Sequence, residues 1–389
     1  MNHYENKISQ EGKHWGELLT KKNYFSWLHS PLILKIINRR ITGDPQIDWF
    51  PWFRNKYLLQ QSVGKALILG CGFTSWEKFL IVNKICNCVD AVDISEETIK
   101  LSREVACREN LNINYILADV NKVELPENSY DLILCIMSLH HFVELESLFF
   151  RINNSLTPHG YFLANEFVGP TYFQWEEEQL RLINMILSIM PEKYKTRTND
   201  GIVQNKIDKP NLNEFLKQSP FEAVRSSEIV ELAKTYLNLV EIRPYGGTIL
   251  HLLLNFLIGN FDENKPEDQF ILELLALFEE REIRQENITS DFAVIICNKK
   301  SGEQIQNYCN EIARLKLENQ EPKRHFGTIN ASHQTFEQKF DKIINQQTDI
   351  IEMNQNIYNK VQDVYTFLFR LKNFVIRLPF GKLIKKYWQ

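Results

Sequence analysis

Five short apolar runs, Ala66–Leu69, Val89–Val92, Ile113–Leu117, Leu132–Met137 and Tyr161–Ala164, recur along the middle of this chain. Helix-patterned stretches, Ser75–Lys84 and Glu96–Asn110, separate the first three. Runs this short and this apolar are strands buried on both faces, and a helix between two of them is a crossover that returns the chain to a parallel neighbour. Such crossovers are right-handed, which leaves few topologies, all doubly wound α/β sheets. Leu237–Ile242 and Phe292–Cys297 read as two further strands, giving seven.

The remaining chain divides around that core. Residues 1–60 are rich in aromatics (Trp15, Tyr24, Phe25, Trp27, Trp49, Phe50, Trp52, Phe53) and read as a helical N-terminal cap. Their rings either pack on the main domain or form an aromatic wall facing a substrate. The main domain spans 61–300, with a polar, helical lid insertion over 170–235. His251–Leu257 and Gln269–Arg281 carry helical patterning, and 301–335 is a polar linker. Over 336–378, Phe340, Ile343, Gln347, Ile350, Asn354, Ile357, Val361, Val364, Leu368, Leu371, Val375 and Leu378 alternate in steps of three and four. That heptad series predicts a coiled coil, and its polar a positions point to a homo-oligomer. Residues 365–389 hold six Lys/Arg, no acid and interleaved aromatics, the pattern of a segment in peripheral contact with an anionic membrane.

A net charge of −4 argues against a partner such as nucleic acid. Seven cysteines without a paired Cys-x-x-Cys fit a reducing cytoplasm, or the inner face of a membrane if the tail docks there. Met1–Lys13 is polar, unlike a signal peptide, and no stretch is long and apolar enough to span a bilayer.

The chemistry-bearing residues stand at the strand ends, where ligands of open α/β sheets collect. Leu67-Ile-Leu-Gly-Cys-Gly-Phe-Thr-Ser turns a strand into a helix through Gly70 and Gly72, whose missing side chains let backbone approach a ligand. A dinucleotide fingerprint needs a third glycine where Ser75 stands, which disfavours a nicotinamide-dependent oxidoreductase. Asp93 closes the second run 21 residues after Gly72, where a carboxylate can take both hydroxyls of a ribose; Ser95 beside it suits a helix N-cap. Asp119 follows the third run with Val120, suited to an adenine amino group and ring. The fourth run, begun by Asp131 in a structural role, ends at Ser138-Leu-His-His.

Together these motifs resemble the class I S-adenosylmethionine (SAM)-dependent methyltransferases whose glycine turn reads Leu-Gly-Cys-Gly, over about 65–166. The resemblance implies a Rossmann-like sheet of seven strands with the last antiparallel. It implies SAM as cofactor, with Gly70, Cys71 and Gly72 beside its amino-acid part, Asp93 and Ile94 at the ribose, Asp119 and Val120 at the adenine, and Cys135 nearby. Ile68 and Thr74 stand where the family often has an acid and a further glycine. These two departures keep open a degenerate SAM-binding scaffold acting through its coiled coil. Thr42-Gly-Asp-Pro, Asn165-Glu-Phe-Val-Gly-Pro-Thr-Tyr-Phe-Gln-Trp and Tyr245-Gly-Gly-Thr-Ile-Leu-His resemble a bacterial subgroup found with surface-glycan enzymes. The implied acceptor is a hydroxyl of a sugar or lipid-linked glycan, with a small metabolite as the alternative.

Methyl transfer is an in-line displacement on an already activated donor, so the protein chiefly aligns the nucleophile and excludes water. A hydroxyl acceptor also gains from a nearby base. His140, His141 and Glu166 are the candidates at the rim, and Tyr172, Gln174, Trp175, Arg225 and Tyr245 are the candidates for lining an acceptor pocket. No set of acids and histidines stands at metal-ligand spacing, so no metal is expected.

Overall fold

The structure, a computed structural model, describes residues 26–73, 76–305 and 307. The chain divides into two compact units, Met1–Glu311 and Ile312–Gln389. The coiled coil expected over 336–378, the segment of 365–389, most of the linker, Thr74 and Ser75 lie outside the described residues.

Seven strands form one sheet: β1 (Val63–Leu69), β2 (Cys86–Asp93), β3 (Ile113–Leu117), β4 (Tyr130–Ile136), β5 (Leu156–Phe167), β6 (Asn238–Gly246) and β7 (Phe292–Asn298). Their order is β3-β2-β1-β4-β5-β7-β6. The first five pair in parallel, and β7 runs antiparallel between β5 and β6. This is the doubly wound, Rossmann-like sheet expected, with β7 as the antiparallel strand.

The apolar runs are continuous because both faces are covered. Ala66, Ile68, Leu132 and Leu134 point into one core, and Leu67, Leu69, Ile133 and Cys135 into the other. Asp131 has the structural role assigned to it. Its carboxylate accepts from the amides of Gly64 (2.9 Å) and Lys65 (3.1 Å) and from the Thr157 hydroxyl (3.0 Å), tying β4 to β1 and to β5. A Cβ at Gly64 would stand 2.9 Å from that carboxylate.

Local chemistry fixes the helix ends. Ser95 caps Glu96–Arg108 by accepting from Thr98 N, while Glu96 and Glu97 sit in the positive first turn. In the N-terminal cap, Pro31–Thr42 starts at Ser30 with Pro31 in the first turn, and stops at Gly43, whose φ is +89°. Trp49–Tyr57 follows, capped by Asp48. Trp49 and Phe50 pack against Trp76 with centroids 5.1 and 5.4 Å apart, and Phe53 is fully buried, so these three rings are core rather than a substrate wall. Helices of the expected lid join the cores as well: Glu177–Ile189 buries Leu182, Ile183 and Leu187 in the core of Ala66 and Ile68. Ile229–Tyr236 buries Ile229 and Ala233 in the same core as Leu145–Ser155, covering the sheet. Among the described residues no helix is long and apolar enough to cross a membrane.

One buried acid sets a pH dependence. Asp291 enters β7 with almost no exposure, accepts from Gln179 Nε2 at 3.0 Å, and faces Glu279 electrostatically. Burial, opposed by the Gln179 bond, pushes its carboxyl up to about 7. At pH 5 the unfolded chain has already ionised this group while the fold still holds its proton. Raising the pH therefore favours unfolding, until the folded carboxyl ionises as well. Between pH 5 and pH 7 the wild type should lose about 2 kcal/mol relative to Asp291→Asn, by that linkage. Urea melts of the two proteins at both pH values check it; parallel pH profiles would contradict it.

Candidate active site

The carboxyl ends of β1, β2 and β4 meet around the glycine turn. Gly70 and Gly72 have φ of +68° and +52°. A Cβ on Gly70 would lie 2.7 Å from Ser138 Cβ, so glycine is required for the β1 turn to touch the β4 loop. Ser138 Oγ completes that junction by donating to Leu69 O at 2.7 Å. The amides of Gly70 and Cys71 donate to Val92 O (2.9 and 3.0 Å), and Gly72 N donates to Asp93 Oδ2 at 2.8 Å. The turn therefore offers a ligand close backbone approach rather than these three amides.

Asp93 ends β2 with its other oxygen on Ser95 N at 2.8 Å. Burial raises its carboxyl above the usual range, and the Ser95, Gly72 and Ile94 amides oppose that. Three amides leave part of the carboxylate's acceptor capacity for hydroxyl donors. Ile94 is half-buried beside it. Asp119 Oδ1 accepts from Asn121 N and Nδ2, and Asn121 Oδ1 in turn accepts from Val143 N (2.8 Å) and Glu144 N (3.0 Å), joining the loops after β3 and β4. The described residues thus bring Gly70, Cys71, Gly72, Asp93, Ile94 and Asp119 to one rim that suits a nucleoside with a charged tail. Val120 and Cys135 are buried in the second core, and Cys135 is fully inaccessible, so it supports the rim from below. Glu77, unremarked in the sequence, lies close to this rim: buried, bonded to Tyr115 OH at 2.8 Å, and in electrostatic contact with Asp93 and Cys71.

Beyond Ser138 the site changes character. Glu166, at the end of β5, is completely buried and fully engaged. One oxygen accepts from the amides of Ser138 (3.0 Å) and Leu139 (2.7 Å); the other accepts from Phe167 N (2.7 Å) and meets His140 Nδ1. With no lone pair left over, Glu166 acts by holding the β4 loop and aiming His140. Met137, at φ +51°, is strained into that loop. The far nitrogen of His140, Nε2, lies 3.5 Å from Glu222 Oε1, and His141 Nδ1 lies 3.8 Å from Glu222 Oε2. Burial lowers the His140 imidazole's proton affinity, but Glu166 and Glu222 outweigh it and carry its pKa up to about 10. Burial and the charge on His140 take His141 down to about 4. Glu222 lies 82 residues after His140, so spacing alone could not reveal it.

The acceptor candidates divide. Trp175 stacks on Phe173 (centroids 5.0 Å, 13°) and both contact Phe167, which reaches His140 at 6.0 Å. Tyr245 stacks on Phe292, and its hydroxyl donates to Asn165 Oδ1 at 2.8 Å. His251, also missed in the sequence, packs on Phe292 and Trp27 and feels Glu222 and His140 electrostatically. Tyr172, held at φ +52°, meets Phe215, and Gln174 donates to Tyr172 O and Pro210 O within its own loop. Arg225 departs from the expectation. Its guanidinium is occupied by Glu146, Glu228 and Val143 O, a clamp between the lid and the Leu145–Ser155 helix.

A seven-stranded sheet in this order, with a glycine turn after β1 and an acid after β2, defines a class I SAM-dependent methyltransferase fold. Residues 67–164 match the sequence family described as a methyltransferase domain, which covers β1 through most of β5. That match spans about a quarter of the chain, and the segment it covers is similar to a SAM-dependent methyltransferase domain, with SAM as the cofactor such a domain implies. No curated protein matches the chain. Solved structures similar in fold include the phosphoethanolamine N-methyltransferase 2 of Haemonchus contortus, at 15% identity and a TM-score of 0.40 over 69% of this chain. This chain covers 57% of that enzyme's length. Geranyl diphosphate C-methyltransferase of Streptomyces coelicolor A3(2) aligns at 11% identity, TM-score 0.41, over 75% of this chain and 98% of its own. A sarcosine dimethylglycine methyltransferase assignment from Galdieria sulphuraria aligns at 15% identity, TM-score 0.39, over 64% and 84%.

Proposed function

We propose that the acceptor atom is a hydroxyl oxygen, carried by a sugar or lipid-linked glycan, and that it enters beside His140 and Glu222. The observation that carries this reading is the carboxylate of Glu222 between two histidines, one of them aimed by a wholly buried Glu166. SAM supplies an activated methyl group when bound. The glycine turn and Asp93 hold the donor, while the rings of Phe167, Phe173 and Trp175 exclude water from the acceptor side. Transfer from bound SAM would form the C–O bond and break the C–S bond, and the hydroxyl proton passes to the carboxylate of Glu222. His140 remains the counter-charge that orients Glu222, because two carboxylates face its ring.

The sugar class rests on the three segments resembling surface-glycan enzymes, two of which meet in space. Arg40, two residues before Thr42, donates to Tyr245 O at 3.0 Å, and the Tyr245 hydroxyl reaches Asn165. The test is transfer of labelled methyl from SAM to glycan and lipid-linked acceptors. Glu222→Gln should slow transfer by about 10²–10⁴-fold, the usual worth of a positioned base, with SAM affinity retained. Labelling of an amine or a carbon acceptor, with hydroxyls untouched, would overturn the reading.

Self-association through 336–378 and membrane contact through 365–389 are further proposals from the heptads and the basic, aromatic composition. Truncation after Gln334 should reduce the oligomer to a monomer in sedimentation and abolish flotation with anionic liposomes. An unchanged oligomer, or unchanged flotation, removes the corresponding claim.

A further inference from the structure

Two histidines adjacent in sequence present one nitrogen each toward a carboxylate from a different loop. One ring nitrogen of each histidine and one Glu222 oxygen all lie within 4.8 Å of one another. The two shortest contacts, 3.5 Å from His140 Nε2 to Glu222 Oε1 and 3.8 Å from His141 Nδ1 to Glu222 Oε2, run to the two oxygens of one carboxylate and are close to the roughly 3.3 Å that separates neighbouring ligands around a tetrahedral ion with bonds of about 2.0–2.1 Å. The side chains are largely buried, at 6%, 13% and 22% exposure, unlike an open acidic patch.

The surroundings fix each ligand in the orientation an ion needs. Glu166 holds Nδ1 of His140, the nitrogen not facing Glu222, the carboxylate–histidine arrangement that sets tautomer and ring angle at metal sites. His141 is tied to the backbone of Phe221, the residue before Glu222. The Glu222 loop is in turn pinned to the histidine turn by Val224 N donating to His140 O at 3.0 Å. Ala223, next to Glu222, is held at φ +49°, and Met137 before the histidines at +51°. Strain on both sides of one cluster is a cost that a fold retains where the geometry is used.

We propose that His140, His141 and Glu222 form a binding site for a divalent transition-metal ion of the zinc type. Two imidazoles and one carboxylate are the donor set of open, three-ligand sites, whose fourth position takes water or another oxygen ligand. Magnesium and calcium, which prefer all-oxygen shells, fit this set poorly. With the ion bound, the acceptor hydroxyl is the natural oxygen ligand and the ion lowers its pKa, while His140 and Glu222 serve as ligands in place of the counter-charge and base they provide when the site is empty. That detail rests on the function proposed above; the ion's binding does not.

The test uses the full chain, stripped with chelator and titrated with Zn²⁺ by calorimetry, then with Co²⁺ while the visible spectrum is followed. One ion per chain is expected, with affinity falling at least 10-fold in His141→Ala and in Glu222→Gln, and by about 10–100-fold in Glu166→Gln, the usual effect of losing the outer partner. His159→Ala, on the surface of β5, should leave it unchanged. SAM titration of each variant reports whether it folds. Should the variants fail that control, the Co²⁺ spectrum of the wild type decides: visible bands of a low-coordinate nitrogen–oxygen site support the proposal, and their absence overturns it. Zn²⁺ binding that is absent, or equally strong in His141→Ala and Glu222→Gln, also overturns it. Binding without methyl transfer to hydroxyls would leave the ion site standing and remove only the acceptor reading.

Discussion

Asp93→Ala should weaken SAM binding by about 100-fold, with a parallel loss for S-adenosylhomocysteine. Bonds from hydroxyls to a carboxylate are worth about 1.5–3 kcal/mol each, and losing a pair from a ribose costs at least two decades of affinity. The same substitution frees Gly72 N and Ser95 N, which Asp93 bridges at 2.8 Å each, so the turn also loosens. Asp93→Asn separates the two effects. It keeps an oxygen for one of the amides and loses the charge that strengthens hydroxyl bonds. Calorimetric titration alongside a thermal melt reads both. If Asp93→Ala lowers the melting temperature while SAM affinity stays at the wild-type level, the carboxylate is a brace of the loop and the ribose assignment falls.

The sheet was legible because its strands are buried on both faces. Each run from Ala66 to Ala164 had to be apolar whichever side it faced; β1, β2 and β5 extend their runs, β3 coincides with its own, and β4 begins at Tyr130 and stops at Ile136, before Met137. The glycine turn and Asp93 were legible for a different reason: each stands at the carboxyl end of a strand that the apolar runs already mark. Residues that meet only through the fold were not. Glu222 reaches His140 from a lid loop, His251 arrives from beyond β6, and Glu77 comes to the cofactor rim by packing under it against Tyr115. Nothing in their local spacing marks them. Arg225 shows the converse. A charged residue in an inserted segment reads as a substrate contact until Glu146 and Glu228 are found around it.

The glycine pair of Tyr245-Gly-Gly-Thr also had a structural meaning hidden from the sequence, and it leads to the largest stability effect expected in this protein. Gly246 and Gly247 have φ of +85° and +81°, and a Cβ on Gly246 would fall 2.2 Å from a Glu279 oxygen. Glu279 is fully buried and accepts from Gly247 N (3.1 Å), Ile249 N (2.6 Å), Leu250 N (2.8 Å) and Arg40 Nη1 (2.6 Å). It satisfies the free amides where Leu250–Leu254 begins, while Arg40, which also donates to Tyr245 O and Ala276 O, balances its charge. Removing one partner of a buried ion pair leaves the other uncompensated, so Glu279→Ala should destabilise the fold by about 3–5 kcal/mol. Replacing both ends, Arg40→Leu with Glu279→Leu, removes the stranded charge, and in many proteins such a swap recovers stability. Here it should not, because three buried amides remain without an acceptor, at about 1–3 kcal/mol each. Urea denaturation of the single and double variants decides the point. A double variant as stable as the wild type would mean that the turn needs only apolar packing, and that the carboxylate serves Arg40 alone.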